Sequence, residues 1–201
     1  MTQAQLFGET PIESSIEGLV YQSEFLSQEE ELELIAVINT LPLHAARYKQ
    51  YLARRRVVSF GGSFDFDTNR LLPGIVLDPR LHGLRDKVAR WIGADPCDLV
   101  HALVAEYASG TPLGWHRDVP DFETIVGVSL GGRATLKFRP YPDAPNTRKV
   151  VQLDVAPRSI YRMAGDARWR WQHCVAPTAE LRWSITFRTK LAEAWCEERL
   201  A

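Results

Sequence analysis

The sequence predicts a mainly β protein with flanking helices, in the α+β class, and two patterns support this prediction. From about residue 98 onward, short segments rich in Val, Ile, Thr and aromatic residues alternate with Gly, Pro and Asp. Apolar residues at helical spacing are confined to the first half of the chain. Because successive short strands without intervening helices favour an antiparallel sandwich or barrel, we expect the helices to pack on the outside of one sheet.

The first helix is predicted to begin after Ser27. Ser27 can cap a helix, and Glu30 occupies the position of a capping-box partner. Pro42 ends the run, since proline cannot continue a helix. The buried stripe is predicted to contain Leu32, Ile35, Ile38 and Leu41.

The second helix is predicted to begin at Asp78 and Pro79, because proline is tolerated in a first turn. Gly93 fits its C-terminal end. Its buried stripe is predicted to contain Leu81, Leu84, Val88, Trp91 and Ile92. Both stripes are interpreted as core.

Strands are predicted in the second half of the chain, at residues 99–107, 124–130, 133–138, 149–155, 159–163 and 181–189. The pair Gly131-Gly132 is typical of a hairpin. Because no internal repeat or linker divides the sequence, we expect a single domain over residues 1–201. Residues 1–20 are polar and turn-rich, and we expect them to form a loosely attached lead-in.

Composition and charge exclude some classes of protein. Hydrophobic residues make up 45% of the chain, which is enough for a core without disulfides. The net charge of −1 provides no global basic field for nucleic acid, although local basic patches remain open. Ser129 and Ser159 lack the surroundings of a hydrolase nucleophile, and there is no GxxxxGK[ST] loop for nucleotide hydrolysis.

The cysteines indicate a reducing compartment. Cys97, Cys174 and Cys196 form no CxxC pair, and their odd number favours free thiols. Residues 1–5 lack the basic and apolar regions of a secretory leader. No apolar stretch approaches the ~20 residues that span a bilayer. We therefore expect a cytoplasmic monomer that makes no membrane contact.

A metal site is predicted around His116 and Asp118. Side chains two residues apart on a strand point to the same face, so this pair could bind one ion. A third ligand must come from another strand, and His173 is available. Two histidines and one carboxylate leave three positions open, which suits non-haem Fe(II). By itself, however, HxD arises often by chance. The other histidines are interpreted as surface or core residues, namely His44, His82 and His101.

A strand near the C-terminal end alternates strictly in polarity. One face carries Arg182, Ser184, Thr186 and Arg188, and the other carries Trp183, Ile185 and Phe187. An ordinary half-buried strand with its polar face in water would explain this pattern. Alternatively, the polar face lines a barrel mouth, where an arginine fork binds a carboxylate. Since an arginine at that depth needs an anion, this interpretation predicts a bound dicarboxylic acid.

These motifs together resemble the AlkB family of Fe(II)- and 2-oxoglutarate-dependent dioxygenases. The resemblance rests, in the family's order, on AEYASG (105–110), LGWHRD (113–118), VSLG (128–131), His173 and RWSITFR (182–188). It covers roughly residues 20–190. The segment from Phe25 to Pro42 is similar to the family's opening helix, and residues 55–61 are similar to its substrate-side hairpin.

The resemblance implies a double-stranded β-helix, a jelly-roll variant, over roughly residues 98–190, with the N-terminal helices packed on one sheet. It implies Fe(II), 2-oxoglutarate and O2 as cofactors, with decarboxylation of 2-oxoglutarate to succinate. Arg182 would pair with the distal carboxylate of 2-oxoglutarate, and Arg188 would support the end near the metal. The implied sites are as follows: His116, Asp118 and His173 for iron; Tyr107, Arg182, Ser184 and Arg188 for 2-oxoglutarate; Arg55, Phe60 and Asp121 for substrate.

Two positions depart from the family's pattern. The family often has Asn-x-Tyr where this chain has Ala105-Glu106-Tyr107, so one cosubstrate hydrogen bond is missing or comes from elsewhere. The bacterial DNA-repair enzyme carries acidic residues just beyond its HxD motif, where this chain has Val119-Pro120-Asp121. Asp121 is the candidate substitute.

Nucleic acid is the leading hypothesis for the substrate. Residues 44–56 are basic without an acid, and a second cluster mixes arginines with aromatics. Such groups contact phosphates and stack on bases. The second cluster consists of Arg158, Arg162, Arg168 and Arg170 with Tyr161, Trp169 and Trp171. The resemblance then implies oxidative demethylation of N-alkylated bases in DNA or RNA. The alternatives are the same chemistry on a protein or small molecule, and a binding module with a degenerate or zinc-filled centre.

Overall fold

The largest element of the structure is an eight-stranded antiparallel sheet. The computed structural model describes residues 12–13, 15–48, 51–65, 70–142 and 150–191. The strands of this sheet are Ile12–Glu13 (β1), Leu19–Gln22 (β2), His44–Tyr48 (β3), Tyr51–Phe60 (β4), Leu99–Tyr107 (β7), Phe122–Gly131 (β9), Ile160–Met163 (β12) and Arg182–Lys190 (β14). Their order is β1-β2-β12-β9-β14-β7-β4-β3.

A four-stranded antiparallel sheet faces the large one. Its strands are Leu113–His116 (β8), Ala134–Pro140 (β10), Val151–Val155 (β11) and Trp171–Val175 (β13), in the order β11-β10-β13-β8. A separate hairpin pairs Gly62–Asp65 (β5) with Arg70–Pro73 (β6). Phe122 and Ile125 from the large sheet share one apolar cluster with Leu136 and Phe138 from the small sheet. Two sheets packed face to face confirm the predicted mainly β, jelly-roll core.

The first predicted helix is Gln28–Ile38 (α1), and its predicted cap is confirmed. The Glu30 backbone N–H donates to Ser27 Oγ at 3.1 Å, and the Ser27 N–H donates to Glu30 Oε2 at 2.7 Å. Asn39, three residues before Pro42, is the C-terminal cap.

The second predicted helix is also confirmed. Pro79–Leu81 forms a 3-10 turn that leads into His82–Ile92 (α2). Gly93 ends α2 in the left-handed conformation, with φ 71°. A further short helix, Gly165–Trp169 (α3), was not predicted.

The buried face of α1 differs from the prediction at one position. Leu32 is 61% exposed, and the buried positions are Glu31, Leu34 and Ile38. These three are spaced as one helix face, whose centre lies about 130° from Leu32. Glu31 is tolerated there because its Oε1 accepts the Gly131 N–H at 2.8 Å. The prediction that Leu32 belongs to the core was therefore wrong.

The main core lies between the large sheet and the helices. Apolar residues of α1 and α2 pack against the outer face of the sheet, where they meet Val104, Ile185 and Phe187. This confirms that the helices cover one sheet from outside. Within the part of the chain that the structure describes, no helix is long and apolar enough to cross a membrane.

Part of the predicted lead-in belongs to the sheet. Ile16 and Leu19 are 2% and 1% exposed, and β2 pairs with β12. The expectation of loose attachment was therefore wrong for residues 15–20, because their apolar side chains complete the core between the sheets. Residues 1–11 and 14 lie outside the described residues.

All six predicted strands are present, within a few residues, as β7, β9, β10, β11, β12 and β14; residue 149 lies outside the described residues. The sequence did not reveal β1, β2, β3, β5, β6 or β13, and it indicated β4 and β8 only in part, through the likeness of residues 55–61 to a hairpin and through the HxD motif. Several of these are only four or five residues long. Such short segments carry too little alternation to stand out from loops.

Gly127 makes room for a buried aromatic ring on the inner face of the large sheet. Tyr161 lies directly opposite it in the register of β12 and β9. A Cβ atom at position 127 would come within 2.3 Å of the Tyr161 ring. Glycine is therefore required in the middle of β9 for this packing.

We expect Gly127→Ala to destabilise the protein by about 1–3 kcal/mol, the usual cost of overpacking a core. Urea unfolding measures this change. Gly83→Ala is the control, because a Cβ there meets nothing within 4 Å and should cost no stability. Tyr161→Leu in the Gly127→Ala background should recover part of the loss. A Gly127→Ala protein as stable as the wild type would contradict this account.

Candidate metal centre

Three side chains converge between the two sheets in the arrangement that the sequence predicted. His116 is the last residue of β8, Asp118 follows in the loop, and His173 lies on β13 directly opposite His116. One possible ligand atom from each lies within 4.8 Å of the others. His173 Nε2 and Asp118 Oδ2 are 3.5 Å apart. The strand pairing of β8 with β13 therefore brings the distant histidine to the HxD motif.

The protonation states of these residues suit a metal. The Nδ1 of His116 is 2.9 Å from the carbonyl oxygen of Gly114, so Nδ1 carries the proton and Nε2 is left free. Burial lowers the pKa of His116, and it lowers that of His173 to about 3. Both imidazoles are therefore neutral near pH 7, as metal ligands must be.

Asp118 is ionised despite its burial. Burial alone would raise its pKa, but the positive charge of Arg188, with smaller effects from the two histidines and Arg168, holds it well below the ordinary value. Two neutral imidazole nitrogens and one carboxylate form the donor set that suits non-haem Fe(II). The residues present therefore fit that ion.

Arg188 fixes the orientation of Asp118. Its Nε and Nη2 donate to Asp118 Oδ1 at 2.9 and 2.6 Å. Oδ2, which faces His173, takes no part in these bonds. Because Arg188 belongs to β14 in the middle of the large sheet, the loop ligand is anchored to a rigid element.

His101 continues this hydrogen-bond chain, although the sequence analysis had interpreted it only as a core residue. Arg188 Nη1 donates to His101 Nδ1 at 3.1 Å. His101 Nε2 is then the protonated nitrogen and donates to Ser59 Oγ at 2.9 Å, while Ser59 Oγ donates to the Gly62 carbonyl at 3.1 Å. Burial, together with the nearby charge of Arg188, lowers the pKa of His101 to about 3. The neutral ring can therefore accept from Arg188.

Arg168 supports the loop from the other side. It is only 3% exposed and donates to the carbonyls of Phe122, Asp118 and Val119. Arg158 is bound to Glu24 at 2.8 Å. The interpretation of these two arginines as a nucleic-acid surface was therefore wrong, because both are used within the fold.

The residues predicted for 2-oxoglutarate share the inner face of the large sheet. Arg182 is 1% exposed, its Nε donates to Ser129 Oγ at 2.9 Å, and its guanidinium carbon lies 5.1 Å from the centre of the Tyr107 ring. Ser184 pairs in register with Ala105. Among the described residues, Arg182 makes no second side-chain hydrogen bond, so most of its donors are free for a carboxylate.

Tyr161 lies on the same face and was missed as a site residue. It is 7% exposed, and the charges of Arg182 and Arg188 act on it. Burial raises the pKa of its phenol to about 12, so the group stays protonated and can donate a hydrogen bond. The glycine at position 127, in the middle of the apolar run of β9, was the pattern that could have revealed it.

The residues predicted to contact substrate are not brought together. Arg55 faces the inside of the barrel, since its neighbour Arg56 pairs with Glu106 on the outer face. Phe60 is 3% exposed in the core under the helices. Its odd spacing from Arg55 places it on the opposite face of β4, so its prediction as a substrate contact was wrong. Asp121 is half-buried in the loop beyond Asp118, and its carbonyl accepts the Leu191 N–H.

A family model described as the 2OG-Fe(II) oxygenase superfamily matches residues 76–188. The chain is 28% identical over 170 residues to the tRNA (carboxymethyluridine(34)-5-O)-methyltransferase ALKBH8 of Mus musculus, covering 80% of this chain and 24% of that protein. It is 29% identical over 188 residues to the alkylated DNA repair protein ALKBH8 homolog of Arabidopsis thaliana, covering 81% of this chain and 52% of that protein.

An uncharacterized protein of Acanthamoeba polyphaga mimivirus, L905, is 33% identical over 104 residues, covering 45% of this chain and 48% of that protein. The chain thus spans about half or less of the length of these relatives. The solved structure of OsALKBH1 shares the fold, with a TM-score of 0.65 at 16% identity, covering 86% of this chain and 98% of that one. Together these matches show that the chain belongs to the 2OG-Fe(II) oxygenase superfamily, as an AlkB-like member, in a family that uses Fe(II), 2-oxoglutarate and O2.

Proposed function

We propose that this protein oxidises an alkyl group on a nucleic-acid base, and that an N-methyl group oxidised in this way is lost as formaldehyde. The observation that carries the proposal is the His116, Asp118 and His173 set together with the buried Arg182, which makes one side-chain hydrogen bond among the described residues. A metal set with open positions next to an anion site suits a 2-oxoglutarate oxygenase. The names of two relatives, which refer to tRNA and to alkylated DNA repair, support a nucleic-acid substrate.

Fe(II) held by His116, Asp118 and His173 would supply the activation of O2, coupled to decarboxylation of 2-oxoglutarate. The chain's own part is to hold the ligands and the cosubstrate in place. Arg188 keeps Asp118 ionised and oriented. The apolar residues between the sheets, among them Phe138 at 6.0 Å from the His173 ring, limit the entry of water.

Four residues are proposed to bind 2-oxoglutarate. Arg182 would receive the distal carboxylate through a fork of charged hydrogen bonds, next to the Ser184 hydroxyl. Tyr107 would donate a further hydrogen bond, and Arg188 would support the end near the metal.

Tyr161 is proposed to supply the hydrogen bond that Ala105 cannot make. Alanine has no donor where the family often has Asn. The Tyr161 phenol is protonated, lies on the same inner face and is close to the charge of Arg182. Within the described residues it has no hydrogen-bond partner, so it is free to donate to a carboxylate.

A second candidate function is the same oxidation on a protein or small molecule. Arginines of the predicted nucleic-acid clusters form ion pairs within the protein, among them Arg56 with Glu106 and Arg158 with Glu24. This reduces the basic surface left for phosphates. Weak, salt-insensitive binding of DNA and RNA would favour this candidate.

Oligonucleotides bearing 1-methyladenine or 3-methylcytosine, incubated with the protein, Fe(II) and 2-oxoglutarate, test the proposal. We expect loss of the methyl group by mass spectrometry together with succinate. His173→Ala should abolish both, and the visible band of the anaerobic Fe(II)–2-oxoglutarate complex should vanish with it. His44→Ala, an exposed histidine, is the control. Succinate without methyl loss would reject these bases as substrates.

We expect Tyr161→Phe to raise the KM for 2-oxoglutarate about 10- to 100-fold, the usual effect of losing one hydrogen bond to a charged group, with little change in kcat. Steady-state succinate formation measures it. Tyr141→Phe, at an exposed tyrosine, should leave the KM unchanged. An unaltered KM in Tyr161→Phe would mean that the ring only fills space.

His101 should make the metal-free protein sensitive to acid. Its folded pKa of about 3 lies below the ordinary value near 6.5, so the unfolded chain binds the proton first and stability falls as pH drops from about 6.5 to about 3. A glutamine side chain can accept from Arg188 and donate to Ser59, and it does not titrate. His101→Gln should therefore reduce the slope of the free energy of unfolding against pH, measured by urea unfolding, by up to about 1.4 kcal/mol per pH unit.

His101→Leu separates the charge from the hydrogen bonds. It should lower stability at pH 7 by about 1–3 kcal/mol, because Arg188 and Ser59 lose a buried partner. Equal slopes in the wild type and in His101→Gln would contradict a depressed His101 pKa.

A further inference from the structure

Arg55 stands out among the arginines of the barrel by its position. In the register of β4 and β7, Arg56 lies opposite Glu106, so Arg55 lies beside Tyr107. It shares the inner face of β4 with Val57, which packs against Tyr107, and with Ser59, which binds His101. Arg55 is therefore next in a row of side chains that face the site.

The inner face of β4 packs against the strand that carries His116. Leu113 of β8 contacts the apolar cluster that Val57 of β4 forms with Tyr107. Arg55 precedes Val57 by two residues on β4, so both side chains lie on this face. Arg55 is therefore on the side of β4 that faces β8.

Arg55 has an unsatisfied buried donor. Its Nε is out of contact with solvent and lacks a hydrogen bond, and Arg55 forms no hydrogen bond or ion pair with any residue that the structure describes. By contrast, Arg56, Arg182 and Arg188 each donate to a neighbouring side chain. An unsatisfied donor on a half-buried cation is unfavourable, and a bound anion removes that cost.

We propose that Arg55 is the anion-binding residue of the substrate site, and that it receives a phosphate or a carboxylate of the substrate at the inner face of β4. This proposal rests on the proposed function and deepens it, because it names the chemistry by which the substrate is held. In a nucleic acid, the anion is either a backbone phosphate next to the oxidised nucleotide or a carboxylate on the modified base. Arg182 and Arg188 remain assigned to 2-oxoglutarate, and Arg55 is assigned to the substrate.

The test measures the binding of short labelled RNA strands to protein loaded with Mn(II) and 2-oxoglutarate, which does not turn over. The strands carry a central uridine or 5-carboxymethyluridine, and the flanking linkages are phosphodiesters or neutral methylphosphonates. Arg55→Gln is compared with Arg54→Gln, an exposed arginine on the same strand. Arg55→Lys shows whether charge alone is enough, since lysine lacks the fork.

We expect Arg55→Gln to weaken binding about tenfold and Arg54→Gln less than twofold. If the anion is a phosphate, methylphosphonate linkages abolish the difference between wild type and Arg55→Gln. If it is a base carboxylate, the difference persists with methylphosphonates and requires 5-carboxymethyluridine. The KM for 2-oxoglutarate should not change in Arg55→Gln. A raised KM without weaker RNA binding would assign Arg55 to the cosubstrate and overturn the proposal.

Inorganic sulfate separates this proposal from the proposed function. At constant ionic strength, sulfate should raise the Tm of the loaded wild type and of Arg54→Gln more than that of Arg55→Gln. If the wild type binds no RNA but sulfate still acts through Arg55, the anion site stands and the nucleic-acid substrate is rejected. If Arg55→Gln matches Arg54→Gln with every RNA and with sulfate, Arg55 binds no anion and the proposal is overturned.

Discussion

The buried ion pair between Arg188 and Asp118 is the interaction on which the centre depends. A carboxylate buried alone in a loop would take up a proton and lose its value as a ligand. Arg188 keeps Asp118 ionised and engages only Oδ1, so that Oδ2 remains on the side of His173. Arg188 lies among the central strands of the large sheet. Asp118 is therefore held in position although it lies in a loop, as the histidines are held by β8 and β13.

The two faces of β14 have different roles, one in the core and one in the site. On the outer face, Ile185 and Phe187 pack under the helices and stabilise the fold. On the inner face, Arg182 and Arg188 are buried, and each is oriented by a side chain from a neighbouring strand, Ser129 or His101. Burying two cations on one strand is unfavourable unless anions accompany them. Asp118 pairs with Arg188, and a carboxylate of the cosubstrate would pair with Arg182.

The sequence predicted those features that depend on local spacing, because alternation along one strand and the HxD interval are properties of neighbouring residues. It missed features that depend on which strands become neighbours. Tyr161 reaches the inner face because it lies opposite Gly127, and His101 reaches Arg188 across the pairing of β7 with β14. Leu32 was misassigned because the buried face of α1 includes Glu31, whose carboxylate accepts a distant backbone N–H.

The bond between Ser59 and the Gly62 carbonyl connects the metal centre to the edge where the β5–β6 hairpin begins. Through His101 and Arg188, this edge and Asp118 belong to one continuous network. A molecule that shifts the hairpin and an ion that pulls on Asp118 would therefore act on a shared set of hydrogen bonds. Thermodynamic reciprocity then requires that each alters the affinity for the other by the same factor.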